Sequence, residues 1–412
     1  MRVVIIDRSD ALGGAAIASS RLCQALQDAG VDARMLVIDH RTDADNVQTV
    51  GSRLGNRYRF LAERLSIFAS NGWKRDTLFR IDMATHGVDL TRHPWVLDAD
   101  VLVLGWINQA MLSLDGVKKL AALGKPLVWV MHDMWNCTGI CHYAETCTGF
   151  FDQCDQCPIL PNGSRLAQHT WQRKQQLYNA CRQIKFVAVS NWLKRECEKS
   201  GLMRDCDVTV ISNAIDVERF KADFLDDNPW NVEQDRKVFV MGAARLDNPI
   251  KGLDRLTAAL QWLADNRPDA ASKIHFVLYG ALRDPSRLQS IPVPYTYLGY
   301  VKDIQDIYRH AHVVVSAATR ESFGYTLPEG MACGCIAVTN GEGGQPDIVS
   351  HLNNGYVTDS LQPEALAQGI LWALDNTRSR QSQHEWIASH FSMEAIASQH
   401  LQLYNQLLAN MK

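Results

Sequence analysis

Two glutamates, Glu321 and Glu329, stand eight residues apart around the segment Ser-Phe-Gly-Tyr-Thr-Leu-Pro. Ionised carboxylates accept strongly from hydroxyl groups, so such a pair suits a polyol ligand. The apolar run His312-Val-Val-Val-Ser316 before them reads as a buried strand, and the chain from Tyr325 reads as a helix. Gly324 would then lie at the strand-to-helix turn. Backbone N–H groups of Phe323, Gly324, Tyr325 and Thr326 would face outward there, ready for a phosphate. Glu321 is expected beside that phosphate and Glu329 about one and a half turns into the helix.

Cations stand upstream in Gly242-Ala-Ala-Arg245-Leu-Asp-Asn-Pro-Ile-Lys251-Gly252. Both follow a strand pattern, and a diphosphate suits Arg245 as a fork and Lys251 as a point charge. On their own they read equally as solvated surface charges. Position argues for the site, because open α/β sheets bind ligands at the carboxyl ends of their strands. The glycine stretch Gly341-Glu-Gly-Gly344 reads alone as a plain turn. Near the start, Asp10-Ala-Leu-Gly13-Gly14-Ala-Ala16 follows the first strand but is not G-x-G-x-x-G, so a hydride-transfer cofactor is poorly supported. His132-Asp133 ends the apolar run Leu127–Met131. A lone histidine is usually structural, and no nucleophilic triad surrounds this one.

The elements that must position these groups alternate throughout. Short apolar runs (Val3–Ile6, Ala33–Ile38, Val101–Leu104, Leu127–Met131, Phe186–Val189) alternate with helical patterns, and a second series begins at Val238–Met241. This pattern predicts an α/β chain with two Rossmann-like domains facing a cleft. Its length of 412 residues also favours two domains, here residues 1–211 and 212–390, followed by a helix over 391–412. Apolar content of 46% and charged content of 21% fit a folded enzyme, and a net charge of −3 argues against a nucleic-acid coat protein. No apolar run approaches the ~18–20 residues of a membrane span. Asp7 cuts the first apolar stretch too early for a secretory signal, so a cytoplasmic location is expected.

Taken together, the Gly13-Gly14 loop, His132-Asp133, Ser212-Asn-Ala-Ile-Asp216, Arg245…Lys251-Gly252, the E-x7-E segment and Gly343-Gly344 resemble the retaining glycosyltransferases of family 4, which have the GT-B fold. The resemblance implies that the first domain binds an acceptor and the second a nucleotide-sugar donor, a UDP- or GDP-sugar. It assigns Arg245 and Lys251 to the diphosphate, Glu321 to hydroxyls of the transferred hexose and Glu329 to the ribose. It further implies that Phe323–Thr326 hold sugar or phosphate, that His132 touches the donor sugar, and that Gly13 and Gly14 approach the diphosphate. No metal is required for catalysis, and the last helix would pack back on the first domain. The chain departs mildly from the pattern: Ala214 stands where glycine is common, and Gln345-Pro-Asp347 where a glutamate is commoner. Two alternatives share the architecture: a nucleotide-sugar epimerase, for which no matching histidine and carboxylate set is seen, and a non-catalytic nucleotide-sugar-binding scaffold.

Five of eleven cysteines fall within residues 137–158, and Cys141, Cys147, Cys154 and Cys157 read C-x5-C-x6-C-x2-C. Four thiolates complete a structural zinc shell, while reduced thiols or two bridges fit the same spacing. Similar inserts occur in some capsule and exopolysaccharide transferases resembling this chain. Residues 53–80 interleave Arg53, Arg57, Arg59, Arg64, Lys74, Arg75 and Arg80 with Phe60, Leu61, Leu65, Ile67, Phe68 and Trp73. Such a stretch is either a helix with a solvated basic face or one lying on the inner face of the cell membrane, near a polyprenyl-diphosphate-linked acceptor.

Overall fold

Continuous apolar runs become parallel strands buried on both faces, as expected for a sheet covered by helices. The computed structural model describes residues 1–75 and 77–411; Asp76 and Lys412 lie outside it. The chain folds as two compact units, Met1–Ala214 together with the chain from Ile396 onward, and Ile215–Ala395. In the first unit the strands are β1 (Arg2–Ile6), β2 (Asp32–Val37), β3 (Val47–Thr49), β4 (Val101–Leu104), β5 (Leu127–Met131), β6 (Ile184–Ala188) and β7 (Val208–Val210). They form one parallel sheet in the order β3-β2-β1-β4-β5-β6-β7.

The second unit contains β8 (Lys237–Arg245), β9 (Ile274–Ala281), β10 (Tyr295–Tyr297), β11 (Val313–Val315), β12 (Ile336–Asn340) and β13 (Gly355–Thr358). Their order, β10-β9-β8-β11-β12-β13, repeats the same winding. Both sheets therefore show the Rossmann-type reversal of strand order, at β1/β4 and at β8/β11, and ligands bind at such points. Both units are Rossmann-like.

Helical spacing places the core. In Leu253–Asn266 the buried positions Leu253, Leu256, Leu260 and Leu263 share one face and pack with Phe239 and Phe276. Each such side chain contributes about 1.5–3 kcal/mol by burial. The C-terminal helix, Met393–Ala409, buries Ile396, Ala397, His400, Leu403 and Tyr404.

The helix Arg53–Ser70 departs from its sequence reading. It buries Asn56, Glu63, Arg64 and Ile67, so Arg64 is not on a solvated basic face. Arg64 instead ion-pairs with Asp82 in the interior. The face turned to solvent mixes Arg53 and Arg57 with apolar residues: Leu54, Tyr58, Leu61 and Leu65 are 81%, 71%, 46% and 63% exposed. Among the described residues, no helix is long and apolar enough to cross a membrane.

Candidate functional site

The second unit assembles its chemistry where β8 and β11 lie side by side. After β8, the Asn248 side chain caps a single 3-10 turn, Pro249–Lys251, by accepting from Ile250 N. The turn is stitched to the chain following β11, because Thr319 N donates to Ile250 O at 2.8 Å. Gly252 makes this close approach feasible. Its φ is +78°, and a Cβ there would sit 2.0 Å from the carbonyl oxygen of Ala317. Lys251 is thereby delivered to Glu321, and the two form an ion pair with both groups only partly exposed. Gly252→Ala is expected to destabilise this unit by about 1–3 kcal/mol through backbone strain alone, with the clash adding to it. Urea denaturation of the variant checks this, and an unchanged midpoint would contradict it.

The Glu321 backbone is clamped from the other side. Gly344 N donates to Glu321 O at 2.7 Å, and Gly343 adopts φ +81° where a Cβ would lie 2.5 Å from that same oxygen. The double glycine is therefore more than a plain turn. Gln345, fully buried, accepts from Thr339 Oγ1 and donates to Ser316 Oγ at 2.5 Å, tying the loop to the ends of both β11 and β12. Its position was noted in the sequence only as a departure from glutamate. Gly324 has φ +84°, with Gln345 and Glu321 nearest to its missing Cβ.

Four details differ from expectation. The helix after Gly324 spans only Thr326–Ala332, so Glu329 falls in its first turn. Glu329 is buried at 5% exposure, and its charge acts on the buried hydroxyls of Tyr279 and Tyr308. The Phe323 side chain is likewise buried, against Tyr325 and Phe391 at ring distances of 5.2 and 6.1 Å, which leaves only its backbone for a ligand. Arg245 forks onto Asp247 at 3.0 and 2.8 Å and remains 48% exposed.

The first unit carries its own candidates. Gly13 is the N-cap of the helix Gly14–Asp28, with φ +92° and open space around its missing Cβ. Asp10 fixes this loop by accepting from Arg41 N at 2.8 Å and Thr42 N at 3.0 Å. His132 follows β5 and lines a cavity of about 10 Å³ with Ser19, Asn213 and His400. Burial pushes its imidazole down to about 4 despite Asp133, so it is neutral at physiological pH. Its Nε2 makes no hydrogen bond among the described residues. Burial raises the Asp133 carboxyl, but His142 overrides that and holds it below the usual range. Asp133 binds His142 Nδ1 at 2.8 Å, Trp106 Nε1 at 3.0 Å and Trp135 N at 2.8 Å. It thus organises the loop rather than meeting a ligand. Asp247, His142 and His400 were not singled out by sequence; the only available signal was His142's place beside Cys141.

Comparison with known proteins follows this geometry. The model described as Glycosyltransferase Family 4 matches residues 12–219, and that described as Glycosyl transferases group 1 matches residues 225–389. A D-inositol 3-phosphate glycosyltransferase of Corynebacterium glutamicum is 29% identical over 180 residues, 39% of this chain and 42% of that protein. A putative colanic acid biosynthesis glycosyl transferase, WcaC of Escherichia coli, is 31% identical over 93 residues, 22% of each chain. Among solved structures, Anabaena HepE in complex with UDP superposes with a TM-score of 0.62 at 18% identity, covering 98% of this chain and 100% of that one.

Proposed function

This chain belongs to glycosyltransferase family 4, and from that premise we propose that it moves a hexose from a UDP- or GDP-sugar to a sugar or lipid-linked acceptor, with retention of anomeric configuration. The observation that carries this reading is the Lys251–Glu321 pair, built at the β8/β11 reversal and clamped by Gly343-Gly344. A cation beside a carboxylate at a sheet's carboxyl edge matches a ligand with an anionic diphosphate joined to a hydroxyl-rich sugar.

The chemistry follows from these groups. The bond between the anomeric carbon and the diphosphate oxygen breaks, and negative charge gathers on the departing phosphate. Lys251 and Arg245 would meet that charge by turning from their carboxylate partners, Glu321 and Asp247, to the diphosphate, the electrostatic contribution that usually dominates such sites. Glu321 accepts from hydroxyls of the transferred sugar, backbone N–H groups over residues 323–326 hold sugar or phosphate, and Glu329 takes the ribose. The acceptor oxygen bonds to the same face of the anomeric carbon, and its proton passes to the leaving phosphate oxygen. The two cations do the work a divalent ion would do, so the reaction proceeds without one. In the first unit, the neutral His132 offers an unsatisfied Nε2 to a sugar hydroxyl.

The acceptor belongs to surface-polysaccharide synthesis in this reading, supported by the name of the colanic acid relative and by the helix Arg53–Ser70. Its exposed Leu54, Tyr58, Leu61 and Leu65 recur at helical spacing beside the exposed Arg53 and Arg57. Apolar groups flanked by cations fit an anionic membrane surface. The test is nucleotide release from a panel of UDP- and GDP-sugars, run with and without anionic vesicles. Release from one donor, with co-sedimentation lost in Leu54→Ser/Leu65→Ser, is the expected result. Absence of both binding and release across the panel would overturn the transferase reading; equal sedimentation of the variant would overturn only the membrane contact.

A further inference from the structure

The cysteine-rich insert is not used by the transfer chemistry, yet the fold gathers it. Cys141, Cys147, Cys154 and Cys157 line one cavity of about 20 Å³, closed otherwise by apolar groups such as Ile140 and Phe150. That volume admits a single water-sized occupant. All four are free thiols, whereas Cys137, the fifth of the cluster, is buried elsewhere and donates to Met134 O at 3.1 Å.

Backbone donors are aimed at the sulfurs. Gly139 N reaches Cys154 Sγ at 3.3 Å and Gly149 N reaches Cys147 Sγ at 3.4 Å. Leu160 N donates to Cys157 O at 3.2 Å, closing the turn that follows Cys157. A neutral thiol sulfur is a weak acceptor, so a backbone donor aimed at a sulfur suits a thiolate, and two of the four sulfurs have one. Cys154 holds φ +53°, a left-handed conformation costly for cysteine that the surrounding chain must impose. Gly139, whose Cβ would crowd Ala167 O at 2.6 Å and Cys154 Cβ at 3.1 Å, lets the two segments meet. Lys174 stands close by: fully buried, it donates to Trp135 O and Thr138 O, burial pushes its ammonium down to about 7, and its charge acts on Cys154.

We propose that Cys141, Cys147, Cys154 and Cys157 form a structural zinc site that pins the insert to the first unit. Among the described residues, no group of three or more His, Cys, Asp or Glu side chains is placed to hold a metal ion as it stands. Binding one ion therefore requires the four cysteine side chains to move from the positions they hold in this structure. Four thiols release four protons and bind one Zn²⁺, giving a tetrathiolate of charge −2 with no change of oxidation state. The N–H donors and Lys174 offset that charge. With four sulfurs no position stays open, so the ion is structural and takes no part in transfer.

The test uses the full chain, purified without added metal. Elemental analysis is expected to find about one zinc per chain. Chelator-stripped protein refilled with Co²⁺ should show the visible and near-ultraviolet bands of tetrahedral thiolate ligation. Cys154→Ser and Cys157→Ser should cut the zinc content at least several-fold, and Cys181→Ser should not. Should the serine variants fail to fold, the cobalt spectrum of the unaltered chain still decides. Metal-free protein with eleven titratable thiols and no thiolate–cobalt bands would overturn the site. So would a mass two hydrogens lower per pair among these cysteines, which identifies bridges.

Discussion

Lys251→Ala is expected to lower kcat by about 10²–10³-fold, the size of effect seen when a preorganised charge-stabilising group is removed. The Lys251 and Glu321 side chains are 28% and 16% exposed, so the pair is partly screened and its loss should change stability by no more than about 1 kcal/mol. Turnover falls while the fold survives, and that separation is the diagnostic. Glu321→Gln keeps the side chain's shape but not its charge, so it should weaken both the hold on Lys251 and the grip on sugar hydroxyls. Arg245 behaves differently. Its guanidinium is 48% exposed and engaged by Asp247, so Arg245→Ala should act more on donor KM than on kcat. Steady-state rates at saturating donor, with thermal melts alongside, check the set. Near-normal turnover of Lys251→Ala would end the diphosphate role and leave the pair as a tether between two loops.

What the sequence made legible follows from burial. Central strands of a parallel sheet are apolar on both faces, so β1, β4, β5 and β12 stand out as continuous runs and their ends fix the candidate site. The edge strands β3, β7 and β13 are three or four residues long and carry no such run, and they went unread. Spacing of Glu321 and Glu329 pointed to the candidate site, yet could not reveal that Glu329 is buried near Tyr279 and Tyr308, which come from other segments. Lys251 and Glu321 are seventy residues apart, and only the tertiary stitching through Gly252 and Ala317 pairs them. The helix Arg53–Ser70 misled for a different reason. Its arginines were read as a solvated basic face or as one lying on a membrane, but Arg64 finds a buried carboxylate from outside the helix. No local pattern can announce a partner eighteen residues away.

That buried partner sets the largest expected stability effect. Asp82 is fully buried and Arg64 is 5% exposed, so Asp82→Ala leaves a guanidinium in the interior without its counter-charge. Breaking such a pair on one side typically costs about 3–5 kcal/mol. Asp82 also accepts from Ala84 N and Gln109 N, each at 3.0 Å, and its carbonyl holds Trp135 Nε1 at 2.8 Å. Activity should therefore fall too, because Trp135 anchors the loop of His132 and Asp133. Glu63 beside it is the contrast. Burial first, and then the Asp82 charge, push its carboxyl up, so it stays protonated at neutral pH. The sign follows from linkage: a carboxyl whose folded pKa is raised supports the fold fully below its unfolded value and loses that support as pH rises towards the folded one. Glu63→Gln carries no such penalty. It should hold or gain stability at pH 7.5 and gain nothing at pH 4. Asp82 has the opposite sense: burial raises its carboxyl, Arg64 overrides this, and the net lowering means its contribution fades as pH falls. Urea denaturation of both variants at the two pH values separates them, and equal losses at pH 7.5 would refute the assignment of a neutral Glu63 beside a charged Asp82.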